Sequence, residues 1–263
     1  MLDPEEAANV EITYGVPTFQ VNLDHMISHV LNAIAGLDLP LTFFGGTALA
    51  RTHLADPDAG GRLSEDIDLY SSTRRKIAIA LDDHLPRLLR REFPGSRWDP
   101  PLSAVRPVQA GQLVSRGGLR VRIQLLDSHG GHHDLARWPT EIRAVDLRYS
   151  DAPRGVLLRV PTLPASAAMK TAAWVDRRAA RDLYDLSGLA RIGALDEDAA
   201  TLFRRATGMR VSPHMFDTLP PLAWETQLAH QTRRLPPARQ CLTEVRNAYA
   251  KALRWHVAGD AVD

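Results

Sequence analysis

The amino-acid sequence predicts an α/β fold, in which strands and helices are mixed up to residue 160 and helices alone follow. Short apolar or alternating segments that end at glycine or proline recur through the first part, as is typical of strands. After Pro164 the apolar residues recur at helical spacing instead. We therefore expect a first domain over residues 1–160 and a helical domain over residues 161–263.

The composition is that of an ordinary globular protein. Of the 263 residues, 44% are hydrophobic and 24% are charged, which is usual for soluble domains. No apolar run reaches the roughly 18 residues of a membrane-spanning helix, and residues 1–6 lack a signal-peptide pattern. Cys241 is the single cysteine, so no internal disulfide can form. These features predict a cytoplasmic protein with no membrane partner.

The periodicity of the apolar residues predicts the elements in order. Residues 1–17 show no clear period, and helical spacing then predicts a helix over residues 19–36. Strands are expected at residues 41–44 and 66–69, separated by a short helix and a surface loop at residues 55–61. The other expected elements are a helix at 77–91, a hairpin of strands at 104–115 and 119–126, strands at 141–149 and 155–160, and helices at 165–190, 196–207, 221–232 and 237–257.

A pair of glycines separates the first strand from the helix that follows it. Glycine has no Cβ, so Gly45 and Gly46 allow a sharp turn and a close approach to a ligand. Thr47 stands where a helix N-cap is expected. Free N–H groups and the positive end of the dipole at a helix N-terminus favour a phosphate. This turn is therefore a candidate phosphate-binding segment.

Two aspartates lie on the next predicted strand. Because side chains alternate along a strand, Asp66 and Asp68 project from one face while Ile67 and Leu69 project from the other. Two neighbouring carboxylates repel each other unless a cation neutralises them. Sites with oxygen ligands alone favour Mg²⁺, or Mn²⁺, bridged to substrate phosphates. We therefore assign Asp66 and Asp68 as metal ligands and catalytic residues.

Lysine is rare in this chain, which draws attention to Lys170. Of the 32 basic residues, the lysines are Lys76, Lys170 and Lys251, and the others are arginines. An ammonium group is a compact point charge that fits under a phosphate in a way that a planar guanidinium does not. In a continuous helix, Lys170 and Asp185 would be roughly 22 Å apart. We therefore expect a break near residues 176–180 that folds the second helix back on the first.

Histidines that suit a metal site occur at two places. His25 and His29 lie four residues apart on a predicted helix, but no third ligand is nearby in the sequence, so a surface or capping role is expected. His129, His132 and His133 follow a strand in a glycine-rich segment without cysteines, which indicates a polar loop. Neither group is predicted to bind a metal ion.

Four motifs together resemble a known family. The segments Gly-Gly-Thr-Ala-Leu at 45–49 and Arg-Leu-Ser-Glu-Asp-Ile-Asp-Leu at 62–69 are similar to those of the AbiEii/AbiGii-type nucleotidyltransferases, the MenT-like toxins of type IV toxin–antitoxin systems. Lys170 and the run Arg-Asp-Leu-Tyr-Asp-Leu at 181–186 match the family's later motifs in the same order. The resemblance implies a nucleotidyltransferase-type mixed sheet with flanking helices plus a C-terminal helical bundle, with the active site in the cleft between them.

The resemblance also implies an activity and its partners. A toxin of this family would use Mg²⁺ to transfer nucleotides from an NTP to an RNA acceptor, with tRNA 3′ ends as the leading candidate, and a cognate antitoxin would restrain it. Lys170 would neutralise charge on the phosphates. The residues implied to bind the nucleotide are Gly45, Gly46, Thr47, Ser64 and Lys170.

The later motif offers two aspartates. Asp185 is chosen over Asp182 because it ends the motif, and it is expected to act as a base on the attacking hydroxyl or to orient Lys170. The alternative for this helix is a set of ion pairs within it, Asp182 with Arg178 and Asp185 with Arg181.

One position departs from the wider polymerase-β-like superfamily. There a later strand supplies a third carboxylate, whereas the matching position here holds Gln124, and Asp127 at the strand end has the opposite parity. Two other functions therefore stay open. One is a nucleotidyltransferase that modifies a small molecule or a protein hydroxyl, and the other is a catalytically inactive nucleotide-binding module.

Overall fold

A five-stranded mixed sheet organises the N-terminal half of the computed structural model, which describes residues 2–127 and 135–255. Its strands are β1 (Thr42–Phe44), β2 (Asp66–Tyr70), β3 (Arg97–Trp98), β4 (Ala110–Val114) and β5 (Arg120–Leu126), in the order β1-β2-β5-β4-β3. The pairing of β2 with β5 is parallel and the other pairings are antiparallel. A separate two-stranded sheet joins β6 (Thr140–Ala144) to β7 (Leu157–Pro161). The predicted α/β class and the predicted hairpin, β4 with β5, are confirmed.

Helices flank the sheet and form the C-terminal part. The first four are α1 (Pro4–Tyr14), α2 (Thr18–Gly36), α3 (Gly45–Ala50) and α4 (Arg74–Leu88). The later ones are α5 (Leu163–Arg177), α6 (Ala180–Arg191), α7 (Glu197–Thr207), α8 (Trp224–Leu228) and α9 (Ala238–Ala252). Across the two described ranges, no helix combines the length and the apolar character needed to cross a membrane. The predicted helical bundle after residue 161 is confirmed, while the domain boundary itself stays a prediction.

Several stretches differ from the sequence predictions. The helix predicted over residues 221–232 is helical only over Trp224–Leu228, and strand β3 was not predicted. The N-terminal residues form helix α1 because local signals define it: the Asp3 side chain accepts from two N–H groups of the first turn, and Gly15 ends the helix at φ +63°. Most of α1 is exposed, so it has no strong apolar period. The expected surface loop at residues 55–61 is only partly exposed, because Gly60 and Gly61 are buried.

Burial explains which way the Asp-x-Asp strand faces. Ile67 and Leu69 are fully buried in the first apolar cluster, between the sheet and helices α2 and α4. The alternation of the strand therefore leaves Asp66 and Asp68 on the opposite face. A second apolar cluster lies among helices α5, α6, α7 and α9, and Leu49 of α3 also belongs to it. Helix α3 thus packs against the C-terminal helices, beside the two aspartates.

A buried ion network holds helix α3 against α2. The Asp24 carboxylate accepts hydrogen bonds from Arg51 Nη2 at 2.8 Å, from Arg148 Nη1 at 2.9 Å and from the Tyr149 hydroxyl at 3.0 Å. Arg51 caps the C-terminal end of α3. Burial by itself raises the pKa of Asp24, but the two guanidinium groups outweigh it and lower that pKa. The carboxylate therefore stays ionised and joins three parts of the chain.

Removing this carboxylate should destabilise the protein severely. We expect Asp24→Ala to lower the free energy of unfolding by about 3–5 kcal/mol, because it leaves two buried guanidinium groups without their anion. The measurement is urea unfolding of the full chain, with Asp83→Ala, an exposed aspartate of α4, as the matched control. A change in Asp24→Ala as small as that of the control would contradict the structural role of the network.

Candidate active site

The Gly-Gly turn lies directly against the second aspartate. In the antiparallel pairing of β1 with β2, Phe44 lies opposite Asp68, and the chain turns immediately afterwards at Gly45 with φ +81°. A Cβ added at Gly45 would clash with Asp68 Oδ2. Glycine is thus required twice over, for its backbone conformation and for the space that the carboxylate fills.

Helix α3 begins at Gly45 itself, with Phe44 as its N-cap residue. The expectation that Thr47 is the N-cap was therefore wrong, because the left-handed backbone at Gly45 starts the helix three residues earlier. The Thr47 hydroxyl donates instead to the main-chain carbonyl of Asp66. This hydrogen bond fixes the first turn of α3 on β2 and so aligns the glycines with the aspartates.

The two aspartates form a centre of negative charge on one strand face. Burial and the neighbouring charge of Asp66 together raise the pKa of Asp68 to about 6. Arg122 Nε and Arg181 Nη1 each lie 3.8 Å from an Asp66 carboxylate oxygen, so Asp66 is partly neutralised. A divalent cation would relieve the repulsion that remains. The donor set, carboxylate oxygens alone, therefore fits Mg²⁺ or Mn²⁺.

The neighbouring strand β5 brings no carboxylate to this pair. In the parallel register, Gln124 lies opposite Asp68 and Arg122 lies opposite Asp66. The Gln124 amide donates to the Pro107 carbonyl at 3.4 Å. The position that the sequence matched to a third carboxylate therefore lies beside the two aspartates, and an uncharged amide occupies it.

Lys170 and Asp185 are in contact, as the expected helix break requires. Arg178 adopts the left-handed conformation at φ +51°, and this residue ends α5 and lets α6 fold back along it. Lys170 Nζ consequently lies 2.6 Å from Asp185 Oδ2 and 3.2 Å from Asp182 Oδ1. Both aspartates of the motif hold the lysine, so neither is left over as a surface residue.

Arg62 is the site residue to which sequence reasoning gave no role. Its guanidinium binds Asp185 at two points, Nε to Oδ1 at 2.9 Å and Nη2 to Oδ2 at 3.1 Å. A Cβ at Gly46 would lie 2.5 Å from Arg62 Nη2, so the second glycine makes room for this arginine. The signal was the position of Arg62 in the motif at residues 62–69, but nothing in the sequence names its partner 123 residues later.

The cations around Asp185 favour its ionised form. Burial raises the pKa of Asp185, but Arg62 and Lys170 outweigh it and lower that pKa. A carboxylate with a lowered pKa and cations on both oxygens is a poor proton acceptor. Asp185 is therefore suited to orient Lys170 rather than to act as a base.

The intrahelical ion pairs considered for α6 do not form. Asp182 pairs with Arg177 Nε at 2.7 Å in addition to Lys170, and Arg181 Nη2 donates to Glu65 Oε2 at 3.3 Å. Glu65 also contacts His230 Nε2 at 2.8 Å. Arg181 and Asp185 of α6 therefore pair with the segment before β2, whereas Asp182 pairs with α5.

Several of these residues line a cavity of about 520 Å³, which is within the size range of ligand pockets. Asp66, the first aspartate of β2, is outside its lining. The cavity lies between the two parts of the chain, as the sequence predicted. Among the described residues, those lining it include Gly45, Gly46, Asp68, Gln124, Lys170 and Asp182. Thr47 and Ser64 are buried outside this lining. Asp185 also lies outside it and reaches the cavity through the lysine.

Comparisons with known proteins agree with the geometry. The family described as the nucleotidyl transferase AbiEii toxin of type IV toxin–antitoxin systems matches residues 29–253. MenT4, a nucleotidyltransferase toxin from Mycobacterium tuberculosis, has a similar structure, with a TM-score of 0.67, 17% identity, and coverage of 91% of this chain and 86% of that one. JHP933 from Helicobacter pylori is also similar, with a TM-score of 0.52, 15% identity, and coverage of 91% and 95%. No curated protein sequence matches significantly.

The close approach of Gly45 to Asp68 gives a test by substitution. We expect Gly45→Ala to lower the free energy of unfolding by about 1–3 kcal/mol, because the new methyl group meets a carboxylate at a strained backbone position. Gly36→Ala is the matched control, since nothing lies within 4 Å of the added Cβ, and its effect should stay below about 1 kcal/mol. Equal unfolding curves for the two variants would contradict the described turn.

Proposed function

Because the chain belongs to the AbiEii family of nucleotidyltransferase toxins of type IV toxin–antitoxin systems, we propose that it transfers nucleotides from an NTP to an RNA acceptor. The 3′ ends of tRNA are the leading candidate, as the motif resemblance implies. One observation carries the proposal: Asp68, the Gly45–Gly46 turn and Lys170 line one cavity. That arrangement combines a metal ligand, a close backbone and a cation, which are what a triphosphate needs.

Asp66 and Asp68 would hold the divalent cation, Mg²⁺ or Mn²⁺. When bound, such an ion supplies positive charge to the oxygens of the triphosphate. The raised pKa of Asp68 supports this assignment, since it reflects repulsion between two like charges that a bound cation would relieve. Gln124 opposite Asp68 would contribute an amide, which can contact the substrate without adding charge.

The Gly-Gly turn would bind the phosphates through its backbone. The first N–H groups of α3 have no acceptor within the helix, and neither glycine carries a side chain in their way. Since the Thr47 hydroxyl already donates to the main-chain carbonyl of Asp66, Thr47 would bind the phosphates through its N–H. Ser64 is buried two residues before Asp66, and its assignment as a nucleotide-binding residue stays a prediction.

Lys170 would neutralise the charge that develops on the transferred phosphate or on the leaving pyrophosphate. Its ammonium lines the cavity while Asp185 and Asp182 hold it in place. Asp185, itself fixed by Arg62, would position that ammonium before the substrate arrives. Preorganised charge of this kind stabilises a transition state without a cost in reorganisation at the moment of reaction.

The RNA acceptor would approach over a rim of arginines. The side chains of Arg122 and Arg177 are each 61% exposed, and both lie next to the carboxylates of the site. Exposed guanidinium groups are suited to phosphates of a nucleic-acid backbone. The family implies a cognate antitoxin, whose gene we expect beside this one, and action on tRNA would place the protein in the cytoplasm.

A second candidate function is a catalytically inactive nucleotide-binding module. Gln124 favours it, because β5 leaves the metal pair without a third carboxylate. Incubation of the purified chain with labelled NTPs, Mg²⁺ and total RNA distinguishes the two. Labelled RNA with release of pyrophosphate supports the proposed transfer, whereas nucleotide binding without pyrophosphate release supports the inactive module. If protein or small molecules were labelled instead of RNA, the choice of RNA as acceptor would be wrong, but the nucleotidyltransferase activity would stand.

The metal pair should be essential for transfer and dispensable for folding. We expect Asp66→Ala and Asp68→Ala each to reduce nucleotide incorporation by at least about 10²-fold, because metal-assisted charge stabilisation is lost. At pH 7.5 the melting temperature of metal-free Asp68→Asn should be equal to or above that of the wild type, since a destabilising buried charge is removed. Asp83→Asn is the control for both measurements. Full activity in Asp66→Ala would overturn the site.

Lys170 should be replaceable neither by alanine nor by arginine. Loss of one preorganised donor typically costs about 10²–10³ in turnover, so Lys170→Ala should be slowed by that factor. Lys170→Arg should not restore the full rate, because the guanidinium is bulkier and directs its donors in a fixed plane. Rates are compared well below the melting temperature of each variant, with the exposed Lys76→Ala as control. Equal rates for the wild type, alanine and arginine would remove Lys170 from the site.

A further inference from the structure

Three side chains far apart in the sequence converge outside the active site. His25 and His29 lie one turn apart on α2, and Asp151 lies in the segment between β6 and β7. Both histidines are 5% exposed, so the surface or capping role expected from the sequence was wrong. The third ligand that seemed to be missing is 126 residues beyond His25 and is brought in by the fold.

The three donor atoms have the spacing of ligands around one ion. His25 Nε2 lies 3.0 Å from Asp151 Oδ1 and 3.1 Å from His29 Nε2, and His29 Nε2 lies 3.3 Å from the same carboxylate oxygen. Ligands of a tetrahedral zinc ion, at about 2.0–2.1 Å from the metal, are separated from one another by about 3.3 Å. The triangle of donors thus matches one face of such a tetrahedron.

Hydrogen bonds alone satisfy these contacts poorly. A neutral imidazole nitrogen either donates a proton or accepts one. If both Nε2 atoms carry protons, two N–H groups face each other at 3.1 Å. If either atom lacks its proton, a lone pair faces the Asp151 carboxylate oxygen at 3.0 or 3.3 Å. Each assignment leaves at least one repulsive contact among the three groups, and a cation at the centre would remove it.

We propose that His25, His29 and Asp151 form a binding site for a single zinc ion. Two imidazoles and a carboxylate are ligands that zinc accepts, and three protein ligands leave a fourth position for water. The Asp151 side chain is 21% exposed, so solvent reaches this carboxylate. The rings of Tyr149 and Phe93 lie 4.9 Å and 5.5 Å from the His25 ring and enclose the other side.

The zinc ion has a structural role. It joins α2 to the segment that carries Arg148 and Tyr149, which are the residues that bind Asp24 in the buried ion network. The same α2 thus holds this segment at two neighbouring points, one ionic and one through the metal. None of the three ligands is among the described residues that line the active-site cavity, so the site is separate from the chemistry proposed above.

The test is zinc binding by the full chain after removal of metal with a chelator. We expect the wild type to bind one equivalent of Zn²⁺ at this site and Asp151→Asn to bind it at least about tenfold more weakly. At about 100 times the dissociation constant, zinc should raise the melting temperature of the wild type by about 5 °C or more. It should raise the melting temperature of Asp151→Asn by a clearly smaller amount, because the weaker site gains less free energy from the same zinc concentration. His29→Gln is the second variant and should behave in the same way.

Two controls separate this site from other histidines. His214→Gln replaces a histidine that is 92% exposed and also contacts an aspartate, and it should bind zinc as the wild type does. A second control variant replaces the histidines at positions 129, 132 and 133, which lie outside the described residues, with glutamine. Its zinc content shows how much zinc those histidines bind. Absence of bound zinc in the wild type would overturn the proposal. Equal zinc affinity in the wild type, Asp151→Asn and His29→Gln would overturn it as well.

Discussion

The buried contact of Asp185 with Arg62 and Lys170 is the interaction on which the candidate site depends. Arg62 stands just before the strand of the two aspartates, while Lys170 and Asp185 belong to helices α5 and α6. One carboxylate therefore joins the sheet to the helical part. A buried charge is stable only when it is paired. Loss of any of these three side chains would therefore leave a buried charge without its partner, at a large cost in desolvation. The arrangement of the cavity follows from this constraint.

Charge is distributed unequally around the cavity. Asp182 and Asp185 are neutralised by arginine and lysine, which lower the pKa of both carboxyls despite their burial. At Asp68, burial and the charge of Asp66 outweigh the nearby cations Lys170, Arg177 and Arg122, and the pKa is raised to about 6. The structure thus separates carboxylates that are held in buried ion pairs from a carboxylate whose charge is only partly compensated, as the proposed cation site requires. Where a function needs a strained group, the surrounding ion pairs provide the stability that it lacks.

Sequence alone could predict the parts of the site that follow local rules. The alternation of β2 places Asp66 and Asp68 on one face, the two glycines predict the turn, and the length of a helix requires the break after Arg177. Contacts between distant segments had no such rule. Neither the pairing of Arg62 with Asp185 nor the approach of Asp151 to His25 leaves a periodic signal, since each depends on how whole elements pack. Thr47 was misplaced because a left-handed glycine, and not the threonine, starts α3.

The most direct test asks whether Asp185 acts through Lys170. Nucleotide incorporation is measured for Lys170→Ala, for Asp185→Asn and for the double variant, each below its melting temperature. If Asp185 only positions the lysine, the two losses are not additive, and the double variant is no slower than Lys170→Ala. If the losses multiply in the double variant, Asp185 contributes chemistry of its own, and the positioning role assigned to it here is contradicted.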